Sequence, residues 1–156
     1  MSEHKTDETS NDLTIRYHKK SNIYYVSDCN KNVTHALIPE KYDDGEHGVG
    51  EVMQIGREAF ADCKNLKFVF IPETIKTIEQ SAFVRCVNLE IVHINAGLER
   101  ISYNAFRRCE NIKQITLPIS VREIEPNAFK DSSKIAIKAY KIWTKNYIMR
   151  SYLLEA

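Results

Sequence analysis

Four times in succession the chain carries an Ile, three residues, Ala-Phe, two residues, a Cys or Ser, two residues and a Leu or Ile, with a period of 23 residues. The copies begin at Ile55, Ile78, Ile101 and Ile124. Ala59-Phe60, Ala82-Phe83, Ala105-Phe106 and Ala128-Phe129 follow in phase, then Cys63, Cys86, Cys109 and Ser132, and Leu66, Leu89, Ile112 and Ile135 close each unit. A fixed period of this size means stacked supersecondary units, each burying its apolar residues only against its neighbours.

Each unit divides into two extended runs and a turn. In Leu66-Lys67-Phe68-Val69-Phe70-Ile71-Pro72, alternation sends Val69 and Ile71 to one face and Phe68 and Phe70 to the other. The equivalent inward pairs are Val92/Ile94 and Ile115/Leu117. Pro72 and Pro118 end the strand where no further ladder bond is needed. A second short strand runs through Ile75/Ile78, Leu98/Ile101 and Val121/Ile124, and Ala-Phe is expected on a short turn of helix whose Phe plugs the core.

The ends depart from the period. Residues 1–11 are polar and read as a disordered N-terminal arm. Residues 12–32 hold two β-favouring runs, Leu13–Tyr17 and Ile23–Val26, around Lys19-Lys20-Ser21-Asn22, and are expected to form a hairpin cap over the first coil. The repeats span 33–139, beginning with a degenerate copy in which Ile38-Pro39 answers Ile71-Pro72. Ten extra residues there make a loop around Tyr42–Gly48. Residues 140–156 lack Gly and Pro, set Trp143, Tyr147, Ile148 and Leu154 among basic residues, and read as a C-terminal helical cap. The domain reading is thus a single repeat domain over 12–156.

Lys and Arg total 22 against 21 Asp and Glu, so net charge gives no argument for nucleic acid, and none is expected as a partner. Residues 1–98 carry 11 basic and 15 acidic side chains, and residues 99–156 carry 11 and 6, a polarity that would suit head-to-tail self-association. No apolar stretch reaches the ~20 residues of a spanning helix. The polar N-terminus shows no signal peptide in the chain as given, which points to a cytoplasmic protein, or to a surface or secreted one if a leader has been removed. The repeat cysteines suit a buried thiol column and lack metal-ligand spacing.

These residues resemble the BspA-like, Treponema-type leucine-rich repeats, whose unit is similar to L-x-x-I-x-I-P-x-x-I-x-x-I-x-x-x-A-F-x-x-C-x-x over residues 33–135. The resemblance implies an α/β fold class: a right-handed leucine-rich-repeat solenoid with parallel β-strands, short helical turns and terminal caps. It also implies binding to host proteins or other cells, with no shared catalytic residues. Asn95-Ala96-Gly97 departs from the family's Pro-containing turn.

With no catalytic residue, cofactor or metal expected, the candidate site is the outward sheet face, where stacking would form two columns. The partner-binding residues are Leu37, Phe68, Phe70, Ile91, His93, Gln114 and Thr116, with His35 heading the first column. A protein partner is the expected ligand. The alternatives are a self-assembling structural protein, with a homo-oligomer, or an intracellular adaptor or effector. Two lesser candidates are the loop acids with His47, and a basic ridge of Arg85, Arg107, Arg108 and Lys130 diluted by Asp62, Glu110 and Asp131.

Overall fold

A computed structural model describes residues 12–132 and 135–139. Its strands, in order, are β1 (Leu13–His18), β2 (Ile23–Cys29), β3 (His35–Leu37), β4 (Lys41–Tyr42), β5 (Gly50–Ile55), β6 (Phe68–Ile71), β7 (Thr77–Ile78), β8 (Ile91–Ile94), β9 (Arg100–Ile101), β10 (Gln114–Leu117), β11 (Glu123–Ile124) and β12 (Ala136–Ala139).

Each coil contributes one strand to each of two sides. On one side β3, β6 and β8 pair in parallel, with Ala36, Val69 and Val92 in one row, and β10 pairs in parallel with β12. On the other, β5, β7, β9 and β11 pair in parallel, with Ile55, Ile78, Ile101 and Ile124 in one row. The antiparallel hairpin β1–β2 joins this second sheet through β2 and β5, and β4 folds back antiparallel on β5. Val69, Ile71, Ile115 and Leu117 are buried, while Ile94 is only partly so.

The Ala-Phe segments are not helical, and no α-helix forms among the described residues. The residue before each Ala (Glu58, Ser81, Asn104, Asn127) has φ near +60°, and so does the second residue after each Phe (Asp62, Arg85, Arg108, Asp131). A helix would satisfy N–H groups within its own segment. Here alternate N–H groups turn outward instead: those of Glu58, Phe60 and Asp62 donate to the carbonyls of Gln80, Ala82 and Val84 in the next coil. Ser81, Phe83 and Arg85 repeat this onto Tyr103, Ala105 and Arg107. The turn side is therefore a third ladder between coils, and all its N–H groups point the same way.

That ladder fixes the core. Phe60, Phe83, Phe106 and Phe129 stack at centroid separations of 4.8, 5.0 and 5.4 Å, with interplanar angles of 9°, 1° and 4°. Isolated rings favour offset or edge-to-face contact. The near-parallel stack follows from equivalent rotamers repeated at the strand spacing of ~4.8 Å. The thiols carry a second regularity. Cys86 Sγ–H donates to the Phe60 carbonyl at 3.0 Å and Cys109 Sγ–H to the Phe83 carbonyl at 3.1 Å. In the fourth repeat the Ser132 hydroxyl donates to the Phe106 carbonyl at 2.6 Å, so serine keeps the donor that alanine would lose.

The expected C-terminal helical cap and N-terminal arm lie outside the described residues. The expected hairpin segment is the β1–β2 pair, which extends the second sheet at its N-terminal edge.

Candidate functional site: the outward sheet face

Because strand side chains alternate, burying Ala36, Val69 and Val92 leaves His35, Leu37, Phe68, Phe70, Ile91 and His93 on the opposite face. Register places His35, Phe68 and Ile91 in one row and Leu37, Phe70 and His93 in the next. Leu37 is 43% exposed and Ile91 55%, high for large aliphatic side chains. Phe68 and Phe70 are half-buried and lean on ring neighbours within the face. The Phe70 and His93 rings stack at 5.2 Å and 9°, and His35 tilts against Phe68 at 6.0 Å. His93 is held further by Asn95, whose Oδ1 lies 3.0 Å from its Nε2.

The two columns do not continue as one ladder. Gln114 and Thr116 belong to β10, which lies beside β8 but pairs with β12 in a separate sheet. At this interruption an open cleft of about 370 Å³ is lined by Glu90, Ile91, Asn111 and Lys113. Sequence periodicity gives no sign of it, because the 23-residue spacing continues through the break. Ile91 thus borders both the apolar rows and a cleft with one acidic and one basic wall.

The loop does not fold over this face. Its tip is drawn onto the hairpin by Asp44, whose Oδ1 accepts from the backbone N–H groups of Glu46 and His47 and lies 3.0 Å from the Tyr24 hydroxyl. His47 Nδ1 sits 2.8 Å from Asp44 Oδ2, and the His47 ring stacks on Tyr17 at 4.0 Å. Tyr24 in turn packs edge-on against Tyr42 at 5.5 Å. The Asp-His pair therefore closes a turn and anchors it to an aromatic cluster. Neither Ser nor Cys takes part in this network to serve as a nucleophile.

The backbone N–H of His47, then its side chain, hold the Asp44 carboxyl well below the usual carboxylate range. Its folded value lies under its unfolded value, so the stabilisation is complete above pH ~4 and is lost as pH falls through the depressed value. An NMR pH titration should show Asp44 protonating at lower pH than an ordinary aspartate, and Asp44→Ala should speed amide exchange at Glu46 and His47. An ordinary titration at Asp44 would show that the turn does not hold the carboxylate.

The basic ridge is largely neutralised. Arg85 reaches Asp62 with its Nε at 2.7 Å, and Asp131 lies 3.2 Å from Arg107 and 3.8 Å from Arg108. Burial pushes the Cys109 thiol up to about 12 and also raises Cys86, consistent with inert core thiols. Among the described residues no group of three or more His, Cys, Asp or Glu could hold a metal, and no helix is long and apolar enough to cross a membrane.

A model of the BspA type leucine rich repeat region matches residues 50–155 in six copies. The chain belongs to this family. Solved structures share the architecture of this BspA-type chain. A leucine-rich repeat protein from Bacteroides capillosus has 24% identity and a TM-score of 0.74, covering 83% of this chain and 95% of that one. One from Bacteroides ovatus has 24% identity and a TM-score of 0.64 over 81% of this chain, which spans only 39% of that protein. The T. pallidum leucine-rich repeat protein has 21% identity and a TM-score of 0.63, covering 81% and 67%. At these identities the likeness speaks for the fold alone. None of the curated proteins matches the sequence.

Proposed function

We propose that this BspA-type repeat domain is a protein-interaction module that binds its partner through the outward face of β3, β6 and β8, with adhesion or host-protein binding as its biological setting. The observation that carries this reading is the in-register set Leu37, Phe68, Phe70 and Ile91, which puts aromatic and aliphatic side chains side by side on an unpaired sheet face. Contiguous exposed apolar surface of this kind is characteristic of recognition sites, and half-buried aromatics lose little side-chain freedom on binding. His35 and His93 supply polar edges, and Gln114 and Thr116 complete the contact surface from the neighbouring sheet.

The test compares the intact chain with Phe68→Asp/Phe70→Asp in quantitative capture from lysate, after circular dichroism shows both folded. Because the rings face outward, the variant should keep its spectrum. A partner should bind it at least ~30-fold more weakly, the loss expected when central anchors of ~2 kcal/mol or more are removed. Equal binding by both proteins would move recognition off this face.

A further inference from the structure

The thiol column has an irregular first member. Cys86, Cys109 and Ser132 each donate to the Phe carbonyl of the coil before them. The coil before Cys63 has no Ala-Phe turn: six residues separate Val26 from Val33, where ten separate the equivalent Ile55 from Leu66. The equivalence of Val33 and Leu66 shows in their backbone bonds, Val33 N–H to the Asn30 carbonyl and Leu66 N–H to the Cys63 carbonyl. With the turn abbreviated, Cys29, at the end of β2, comes into side-chain contact with Cys63. Lys31 ties the two segments together, its Nζ 3.2 Å from Asp28 Oδ1 beside Cys29 and 3.0 Å from the Ala61 carbonyl near Cys63.

We propose that Cys29 and Cys63 form a redox-modification site, a reversible disulfide that ties the hairpin to the first Ala-Phe coil. Both residues are free thiols in this structure. They differ from Cys86 and Cys109, whose thiols donate to backbone carbonyls, in hydrogen-bonding to each other. The Cys63 thiol is lowered by its contact with Cys29, with Lys31 adding to the effect, whereas Cys29 is raised by that same contact. Loss of a proton from either sulfur leaves a thiolate beside a thiol, the arrangement that bridge formation requires.

The oxidant class is a peroxide. The thiolate attacks one peroxide oxygen, the O–O bond breaks, and the sulfur becomes a sulfenic acid while the other oxygen leaves as water after taking up a proton. The second thiol then attacks the sulfenic sulfur, the S–O bond breaks, and a second water leaves as the S–S bond forms. Two thiols are oxidised, one peroxide is reduced to two waters, and a dithiol reverses the bridge by exchange. Cys29 lies at the surface margin, beside the exposed residues Asn30, Lys31 and Asn32, so local opening of the hairpin end gives the oxidant access.

The experiment treats the folded chain with hydrogen peroxide, denatures it in acid, labels it with N-ethylmaleimide and maps the peptides. The four free thiols of the untreated chain should fall to two, with a peptide linking Cys29 to Cys63. The thermal midpoint should rise by on the order of ten degrees and return on reduction with dithiothreitol. Cys29→Ser should leave its remaining thiols unbridged under the same treatment. Four labelled thiols after peroxide, or a bridge through Cys86 or Cys109, would overturn the assignment. The mapping on the unaltered chain decides the matter even if Cys29→Ser fails to fold.

Discussion

Replacing Phe83 by Ala should destabilise the domain by about 3–5 kcal/mol, a large part of the 5–15 kcal/mol typical of a whole domain. The ring is fully buried and stacked on both sides, on Phe60 and on Phe106. Its loss removes contacts at two coil interfaces, and the cavity cannot collapse because the backbone above and below is pinned. The Phe60 N–H is bonded to the Ala82 carbonyl at 2.7 Å and the Phe83 N–H to Ala105 at 2.8 Å. In a nearest-neighbour stack, damage in the middle also weakens coupling between the halves, so urea unfolding should become broader. Phe129→Ala is the internal comparison. Among the described residues that ring stacks on Phe106 alone and is slightly exposed, so its removal should cost less. Equal losses from the two variants in urea melts would mean that the stack is not the source of cohesion.

Gly97→Ala should be comparably damaging, at about 3–5 kcal/mol, through backbone rather than side-chain contact. Gly97 has φ of +130°, and a Cβ built there would sit 2.0 Å from the Glu73 carbonyl oxygen in the preceding coil. The turn is also fastened forward, since the Gly97 N–H donates to Ser120 Oγ at 3.0 Å. A methyl group would have to push two backbone segments apart while the coil on the other side held one of them. Gly45 separates this effect from conformational strain alone. Its φ is +78° with nothing within 4 Å of a built Cβ, so Gly45→Ala should cost only about 1 kcal/mol. Matching midpoints for the two variants would show that the approach of Glu73 is not limiting.

Gly97 also explains the departure seen in the sequence. Where other repeats turn with the help of a proline, Asn95-Ala96-Gly97 turns by bringing its backbone onto the coil below, which only glycine allows. The inward and outward rows were legible because a strand's period of two is visible in four residues, as in Phe68-Val69-Phe70-Ile71. The Ala-Phe turns were not. A spacing of Ala-Phe-x-x-Cys fits one helical turn as well as it fits the observed alternation, and the left-handed positions carry Glu, Ser and Arg as well as Asn and Asp. Only the Asn and Asp are residues whose chemistry hints at such a backbone.

The candidate face was similarly half legible. Its rows follow from register within β3, β6 and β8, so Leu37, Phe68, Phe70, Ile91 and His93 could be grouped from the sequence. The separation of Gln114 and Thr116 onto another sheet could not, because a ladder interruption depends on small displacements that leave the repeat intact. The pairing of Cys29 with Cys63 was hidden for a different reason. Cys29 lies outside the repeat phase and reaches the column only because the preceding coil is abbreviated.

The one-way ladder on the turn side makes the stack a vectorial object. Every inner coil receives hydrogen bonds on its carbonyl side and gives them on its N–H side, and at the N-terminal edge the Lys31 ammonium supplies a donor to the Ala61 carbonyl. Coils are therefore interchangeable parts with unlike ends. A duplication or deletion of one whole 23-residue unit rejoins a giving side to a receiving side, whereas any other length mismatches both the ladder and the phenylalanine stack. Such an architecture can change its reach in discrete steps while each remaining interface keeps its chemistry, so natural selection can vary the extent of the outward sheet face without redesigning the core.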